Sequence, residues 1–403
     1  MTERRPPSGV IADDFDGGAH SVVPAPHRRL VLVKAGRTLG YWPSDFKGAA
    51  PSGKRERGWT MNSRERVERT LNHQPVDRAP RDFWALPGVT VKRREEWDRL
   101  RAKYPGDLQG TASPYGRSKY AKGRPYEVGA YTDEFGCVWE VAEYGVVGEV
   151  KHPPLADWSA LASYRMPTEL LDEADFSSVD RSIAGSDRFT LGGTLIRPFE
   201  RLQFLRGTES LLCDLAYDPP ELRRLIGMLH EFNLREMTAW AKTDVQAVSF
   251  MDDWGSQTSL LIAPETWRAI FKPLYREYVA ILRKAGKYAF FHSDGHIRAI
   301  MPDLVEIGVS AVNSQLYCMD VEEIGRTLVG KITFWGELDR QHLQPFGTAA
   351  EVRAGVRRIR RALDRNRGGL FAQCEWGRLD PYENIDALYD EWQKPLAECL
   401  AGQ

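Results

Sequence analysis

Short apolar runs alternate with longer segments of helical periodicity along most of this chain. Beyond Met61, seven runs rich in β-branched and aromatic residues are predicted strands. They span residues 81–85, 189–193, 245–251, 288–292, 309–313, 332–335 and 370–374. Between them, apolar residues recur every three or four positions, as in Trp267, Phe271, Leu274 and Tyr278. This alternation predicts parallel strands joined by crossover helices.

The fold class that follows is α/β. We predict one (β/α)8 TIM barrel over residues 61–402, with an insertion after the first strand at residues 111–167. Alternating residues at 131–140 predict a hairpin in the insertion that covers one mouth of the barrel. An eighth strand is not evident, so a doubly wound open sheet is the alternative. No Gly-x-Gly-x-x-Gly motif follows the first strand to support that alternative.

The first 60 residues differ from the rest. They are rich in Pro, Gly, Arg and Asp, and we expect a disordered N-terminal extension; an ordered arm of unknown use is the alternative. Directly afterwards, Asn62 or Ser63 can cap a helix that carries Val67 and Leu71 on one face. The folded unit is therefore expected to begin at Met61.

Composition and charge exclude several classes of function. Of 403 residues, 55 are Lys or Arg and 56 are Asp or Glu, so no excess of positive charge favours nucleic acid. No apolar stretch approaches the roughly 18 residues of a membrane helix, and no apolar signal core follows the N-terminus. Five scattered cysteines do not form a disulfide framework. We expect a cytoplasmic protein with a small-molecule substrate.

Polar side chains follow the predicted strands, where the active site of a parallel barrel lies. His292 and Asp294 are two positions apart at one strand end, which points both side chains the same way. Together with Cys374 from a later strand, they offer Zn²⁺ three ligands and leave a fourth position for substrate. Alternatively, His292 hydrogen-bonds a neighbouring carboxylate and Cys374 is a small buried hydrophobe.

Other residues at the strand ends also have two possible roles. Asp252 and Asp253 are adjacent and face opposite ways on a strand, so only one enters the cavity, and the other caps a helix or pairs with an arginine. After the second predicted strand, Arg197 or Arg201 can hold a substrate carboxylate, and a structural salt bridge with Glu200 is an equally good expectation.

These residues resemble the uroporphyrinogen decarboxylase superfamily, which includes the decarboxylase and cobalamin-dependent methyltransferases on one barrel. The resemblance covers about residues 61–392. Its motifs are Asn62-Ser-Arg-Glu-Arg-Val, Asp77-Arg-Ala-Pro, Phe291-His-Ser-Asp-Gly, Met301-Pro-Asp-Leu-Val-Glu-Ile-Gly, Phe334-Trp-Gly-Glu-Leu-Asp and Asp380-Pro-Tyr-Glu-Asn-Ile. The resemblance implies a TIM barrel with its site at the carboxyl ends of the strands.

The two branches of the superfamily imply different sites. Methyltransferase members bind zinc through a His-x-Cys pair and a distant Cys; His292 and Cys374 stand at two of these positions, and Asp294 replaces the middle cysteine. That replacement keeps zinc feasible but hardens the site. Decarboxylase members carry an Arg-Gln-Ala-Gly-Arg motif after the first strand, where this chain has Phe83-Trp-Ala-Leu-Pro-Gly-Val-Thr-Val-Lys.

The leading hypothesis is thus methyl transfer or demethylation with zinc on His292, Asp294 and Cys374, and a corrinoid protein as partner. Asp253 or Glu375 would act as acid or base. The residues predicted to contact substrate are Arg201, Trp254, Gln257, Asn313, Gln315, Trp335, Glu337 and Trp376. The alternatives are a decarboxylase of porphyrin metabolism, disfavoured by the acidic rim, and a non-catalytic barrel that binds a small molecule.

Overall fold

The computed structural model describes residues 60–364 and 367–401. In chain order the strands are β1 (Trp84–Ala85), β2 (Leu108–Gly110), β3 (Gly129–Thr132), β4 (Val138–Val141), β5 (Glu149–His152), β6 (Phe189–Gly193), β7 (Ala247–Met251), β8 (Tyr288–Ser293), β9 (Ala311–Ser314), β10 (Thr333–Trp335), β11 (Leu370–Phe371) and β12 (Glu375–Trp376). The expectation of a disordered extension falls almost entirely on residues outside the described range.

Helices separate the strands. They are α1 (Ser63–Leu71), α2 (Pro87–Lys92), α3 (Arg94–Lys103), α4 (Glu169–Asp172), α5 (Phe176–Ile183), α6 (Pro198–Arg206), α7 (Thr208–Tyr217), α8 (Pro220–Trp240), α9 (Pro264–Lys284), α10 (Met301–Ile307), α11 (Val321–Leu328), α12 (Leu343–Phe346), α13 (Ala349–Leu363), α14 (Tyr382–Gln393) and α15 (Leu396–Ala401). Short 3₁₀ turns lie at Trp158–Ala162 and Leu316–Cys318. Within the described residues, none of these helices has the length and apolar content to cross a membrane.

The parallel strands form a closed barrel. Seven of them pair in the order β11, β10, β9, β8, β7, β6, β2. β1 closes the ring: Trp84 pairs with Glu375 of β12, Arg81 bridges Ala372, and the Asp107 N–H donates to the Arg81 carbonyl at 2.9 Å. Residues 370–376 therefore act as one extended barrel strand, the last along the chain, and the fold is the predicted (β/α)8 barrel.

All seven predicted strand regions contain strands, and the eighth is Leu108–Gly110. It was missed because three residues that end in glycine carry no apolar alternation. The insertion consequently follows the second barrel strand rather than the first, which corrects its predicted place. The predicted hairpin is present as β3 and β4, with Tyr131 opposite Trp139, and β5 extends it to three antiparallel strands.

Two apolar layers position the site. Inside the barrel, buried residues such as Phe189, Phe290 and Phe371 pack against each other. A larger layer lies between strands and helices. The helix α1 closes the amino-terminal end of the barrel: Asn62 caps it by accepting from the Glu65 N–H at 2.8 Å, and Val67 joins the interior cluster. The carboxyl-terminal end carries the polar residues.

Candidate active site

Three potential metal ligands converge at the carboxyl ends of β7 and β8. Asp253, His292 and Asp294 each offer one ligand atom, and these atoms lie within 4.8 Å of one another. The His292 Nε2 atom is 3.5 Å from an Asp253 oxygen and 3.7 Å from an Asp294 oxygen. His292 and Asp294 meet because they are two apart on an extended strand, and β7 delivers Asp253 beside them.

The neighbours of His292 fix its tautomer. Its Nδ1 lies 2.6 Å from Asn313 Oδ1, while the Asn313 amide donates to the Trp335 carbonyl at 2.5 Å and to Gln373 Oε1 at 3.2 Å. With its NH₂ group committed, Asn313 presents its oxygen to the imidazole, so Nδ1 carries the hydrogen. The Nε2 atom therefore faces Asp253 and Asp294, which is the arrangement of a metal-binding histidine.

On the opposite side of the Asp253–His292–Asp294 group, the Arg340 guanidinium lies among three carboxylates. Arg340 binds Asp294, lies 2.5 Å from Glu375 and is 3.8 Å from Glu337. Burial lowers the pKa of Arg340, but these carboxylates outweigh burial and raise the pKa above its usual value. The rim holds more acidic than basic groups, so its local field favours a cation.

Glu337 is the buried acid of the site. Its side chain is 1% exposed, and neither carboxyl oxygen has a hydrogen-bond partner among the described residues. Burial raises the pKa of Glu337 to about 8, with the charges of Asp294 and Glu375 adding to the shift and Arg340 opposing it. Burial also raises the pKa of Glu375. Glu337 therefore holds a proton at neutral pH.

Asp82 and Trp84 lie below His292, on the inward face of the first barrel strand (residues 81–85). The Trp84 ring lies 5.2 Å from the imidazole and meets Trp335 edge-on at 4.8 Å. Asp82 accepts the indole N–H of Trp84 at 3.1 Å and that of Trp335 at 2.8 Å. Sequence reasoning missed Asp82, Trp84 and Arg340; strand alternation at 81–85 was the available signal for the first two.

Cys374 is not part of the ligand group. Gln373 and Glu375 face the lumen, where they contact Asn313 and Arg340, so the intervening Cys374 faces outward. Its thiol donates to the Tyr389 hydroxyl on α14 at 3.7 Å. The predicted set of His292, Asp294 and Cys374 is therefore not assembled. Asp253, predicted as acid or base, occupies the third place.

Of the three tryptophans predicted to contact substrate, Trp254 and Trp376 lie outside the lumen. Trp254 stacks on Phe199 at 4.2 Å and donates to the Tyr275 hydroxyl at 3.0 Å, within the helix layer. Trp376 is fully buried and donates to the Asp380 carbonyl at 3.1 Å. Both follow an inward carboxylate, Asp253 or Glu375, and alternation turns them outward. Trp335 alone of the three lines the interior.

The other predicted contacts lie at the rim. Gln257 and Gln315 accept from the Cys318 thiol at 3.0 and 3.3 Å beside a cavity of about 230 Å³ that Arg340 also lines. Arg201 is 3.3 Å from Asp133 of the insertion, and its guanidinium lies 3.7 Å from the Phe135 ring centre. Arg201 thus pairs with Asp133, and the arginine that pairs with Glu200 is Arg197, at 3.8 Å.

Asp252 faces away from the lumen, as expected for one of the two adjacent aspartates. Its carboxylate accepts the N–H groups of Phe199 and Glu200 at 2.6 and 2.7 Å, and the Tyr275 hydroxyl at 2.5 Å. It therefore caps α6, which follows the neighbouring strand β6, and not the helix after its own strand. This contact fixes the start of α6 against the end of β7.

A known protein family and several solved structures are similar to this chain. The family model described as uroporphyrinogen decarboxylase (URO-D) matches residues 62–394. A methyltransferase from Methanosarcina mazei has TM-score 0.61 and 14% identity, covering 83% of this chain and 98% of that chain. A glycosylated endo-β-1,4-xylanase from Gloeophyllum trabeum has TM-score 0.41 and 10% identity, covering 80% and 99%. No curated protein matches. At 14% identity the methyltransferase structure shows a shared fold alone.

Proposed function

The chain belongs to the uroporphyrinogen decarboxylase (URO-D) family, and from that premise we propose that it is a zinc-dependent methyltransferase or demethylase. The convergence of Asp253, His292 and Asp294 carries this proposal. The methyl group would pass to or from a corrinoid protein or a thiol acceptor. The fold shared with a methyltransferase supports the choice of reaction.

The residues present fit a divalent metal ion. One imidazole nitrogen and two carboxylate oxygens are accepted Zn²⁺ ligands, and three protein ligands leave a position for substrate. Asp294 Oδ1 is buried and has no hydrogen-bond partner among the described residues, as expected of an atom meant for a ligand outside the chain. When bound, the ion supplies a Lewis acid that polarises the reacting ether, amine or thiol.

The chain's own residues have distinct roles in this proposal. Asn313 orients His292, and Arg340 orients Asp294 and Glu375 by ion pairs. Burial favours the protonated form of Glu337, which makes it the acid that can give a proton to the atom that loses its methyl group. Glu375, predicted as acid or base, is held by Arg340 at 2.5 Å and acts mainly to keep that guanidinium in place.

A methyl-transfer assay tests the reaction. The protein, supplied with Zn²⁺, is mixed with cob(I)alamin and a panel of methyl ethers, methylamines and methyl thioethers, and formation of methylcobalamin is followed by absorbance. We expect transfer from at least one donor class, abolished in His292→Ala and unchanged in His152→Ala, which alters an exposed strand of the insertion. No transfer from any donor, or full activity of His292→Ala, contradicts the proposal.

Porphyrinogen decarboxylation is disfavoured by charge. A substrate with many carboxylates needs a cationic cavity, whereas the rim presents Asp253, Asp294 and Glu375 around Arg340. We expect no carbon dioxide release from uroporphyrinogen. A non-catalytic barrel is disfavoured as well, because Glu337, a buried acid without a hydrogen-bond partner among the described residues, costs stability unless it is used.

A further inference from the structure

A cavity of about 570 Å³ opens between the insertion and the start of α6, and the proposed function leaves it unassigned. Its volume suits a small organic molecule. Four arginines and two acids line it, among them Arg124, Arg197 and Glu134, so the lining is net positive. The positive charge of this cavity favours an anionic ligand group, whereas the acidic rim of the barrel favours a metal ion.

Arg124 and Arg197 are the arginines of this cavity with most of their donors unmet, and Arg197 is the less exposed of the two, at 30% against 73%. Arg201 is paired with Asp133, and Arg117 donates to the Gly123 carbonyl. Among the described residues, Arg197 makes one side-chain hydrogen bond, to the Met251 sulfur at 3.1 Å, and the carboxylate of its ion pair with Glu200 is 3.8 Å away. A sulfur is a weak acceptor, so most of the guanidinium fork is available to a ligand.

The backbone holds Arg197 next to the metal group. Arg197 precedes α6, and the carbonyl of Ile196 accepts the Met251 N–H at 3.2 Å at the end of β7, whose next inward residue is Asp253. The first N–H groups of α6 are already taken by Asp252. An anion here would therefore bind the Arg197 side chain and not the helix terminus.

Aromatic rings form the apolar wall of the same cavity. Tyr131 is parallel to Trp139 at 5.8 Å, and Trp139 meets Phe204 edge-on at 4.8 Å. Flat apolar walls favour a planar ligand body. A guanidinium fork matches a carboxylate bidentately.

We propose that this cavity binds a small aromatic carboxylate, with the Arg197 guanidinium binding its anionic group. The ring of the ligand lies against Tyr131 and Trp139. The anionic group then lies beside Met251, two residues before Asp253 of the metal group. The inference rests on the proposed function only for the fate of the ligand; binding itself does not require the metal.

Calorimetric titration with matched probes tests the inference. Benzoate, phenylacetate and phenylpropanoate are each compared with the corresponding amide. We expect the wild-type protein to bind at least one carboxylate more tightly than its amide, and Arg197→Ala to weaken carboxylate binding about tenfold or more while amide binding is unchanged. Arg197→Lys keeps the charge without the fork and should restore part of the affinity. Arg223→Ala, an exposed arginine of α8, should bind like wild type.

The outcomes separate this inference from the proposed function. His292→Ala should lose methyl transfer but keep carboxylate binding, because Arg197 and not the metal holds the anion. Equal binding of carboxylate and amide, equal affinity of Arg197→Ala and wild type, or no binding of any carboxylate overturns the inference. Loss of binding in Arg197→Ala that Arg197→Lys does not relieve, with amide binding lost too, also overturns it.

Discussion

Adjacent residues at the strand ends face opposite sides of the barrel wall, and this decides which of them meet. Asp253 enters the metal group while Asp252 caps α6. Glu375 contacts Arg340 while Cys374 contacts Tyr389 in the helix layer. Each pair divides its polar groups between the lumen and the scaffold behind it. The chemistry of the rim thus depends on register.

A buried acid outside the site makes stability depend on pH. Glu236 of α8 accepts the Leu195 N–H at 2.6 Å and the Tyr115 hydroxyl, and burial raises its pKa from 4.5 to about 7. The folded chain keeps this proton where the unfolded chain releases it. The resulting stabilisation is complete below pH 4.5 and lost as the pH rises through about 7.

Glu236→Gln removes this dependence, because the amide is neutral throughout. Relative to the variant, wild type should lose about 2.5 kcal/mol of unfolding free energy between pH 5 and pH 8, from the size of the pKa shift. Urea denaturation at both pH values measures the difference. Glu231→Gln, an exposed position on the same helix, should follow wild type. A Glu236→Gln difference that is the same at both pH values contradicts the assignment.

Sequence reasoning reached part of the site at this scale. Alternation predicted that His292 and Asp294 share a side and that one of Asp252 and Asp253 turns inward, and the structure has both features. The same rule forbids Cys374 and Glu375 from both facing the lumen, yet both were expected there. Arg340 lies in a loop beyond β10, where no periodicity indicates direction, so its pairing with three acids could not be predicted.

At the scale of elements, the loops after β7 and β8 hold the metal group by direct backbone contact. The Gly255 N–H donates to the Asp294 carbonyl at 3.1 Å, and the His296 N–H to the Ser256 carbonyl at 2.8 Å. A Cβ atom on Gly295 would lie 2.1 Å from the Gly255 oxygen. The two loops can approach this closely only without side chains at these glycines.

Gly295→Ala should separate these loops, and Gly286→Ala is its matched control. The backbone φ is +74° at Gly295 and +73° at Gly286, but no atom lies within 4 Å of the Cβ position at Gly286. The control pays only the left-handed backbone penalty of about 1–2 kcal/mol. Gly295→Ala should cost clearly more and weaken zinc binding, measured by urea denaturation and metal titration. Equal losses in both variants would refute the close contact.

Strand prediction succeeded for strands that carry apolar runs. It failed for the strand that is defined only by its hydrogen bonds to neighbouring strands. β6 has its predicted bounds, whereas β2 is only Leu-Gln-Gly, held between β6 and the first barrel segment. Its partners are distant in sequence, so no local pattern reveals it. The family resemblance supplied the eighth strand that periodicity could not.

At the scale of the whole molecule, α1 ties the amino-terminal end of the barrel together while the site lies at the other end. Arg66 is 5% exposed and binds Asp77 and Asp107 at 2.6 Å each, and Arg78 holds Asp107 at 2.6 Å. The Thr70 carbonyl accepts the Gly369 N–H at 2.9 Å, next to the last strand. Stability and chemistry are therefore carried by opposite ends, as in other barrels of this type.

Arg66→Met should destabilise the fold without altering the site. Removing one partner of a buried ion pair costs about 3–5 kcal/mol, because Asp77 loses its guanidinium partner and the buried Asp107 loses one of its two. Arg94→Met breaks an exposed pair with Asp98 and should cost less than about 1 kcal/mol. Urea denaturation compares the two, and zinc affinity should be unchanged in both. A cost for Arg66→Met as small as that for Arg94→Met contradicts this account.

The metal content of the purified protein tests the central claim most directly. Wild type, His292→Ala, Asp294→Ala and Cys374→Ser are prepared without chelator, dialysed against Zn²⁺ and then buffer, and analysed by mass spectrometry for metal per chain. We predict one zinc per chain in wild type and in Cys374→Ser, because the Cys374 thiol faces α14 and not the metal group. The other two variants should hold little zinc. Zinc-free wild type, or Cys374→Ser as depleted as His292→Ala, would contradict a site built from Asp253, His292 and Asp294.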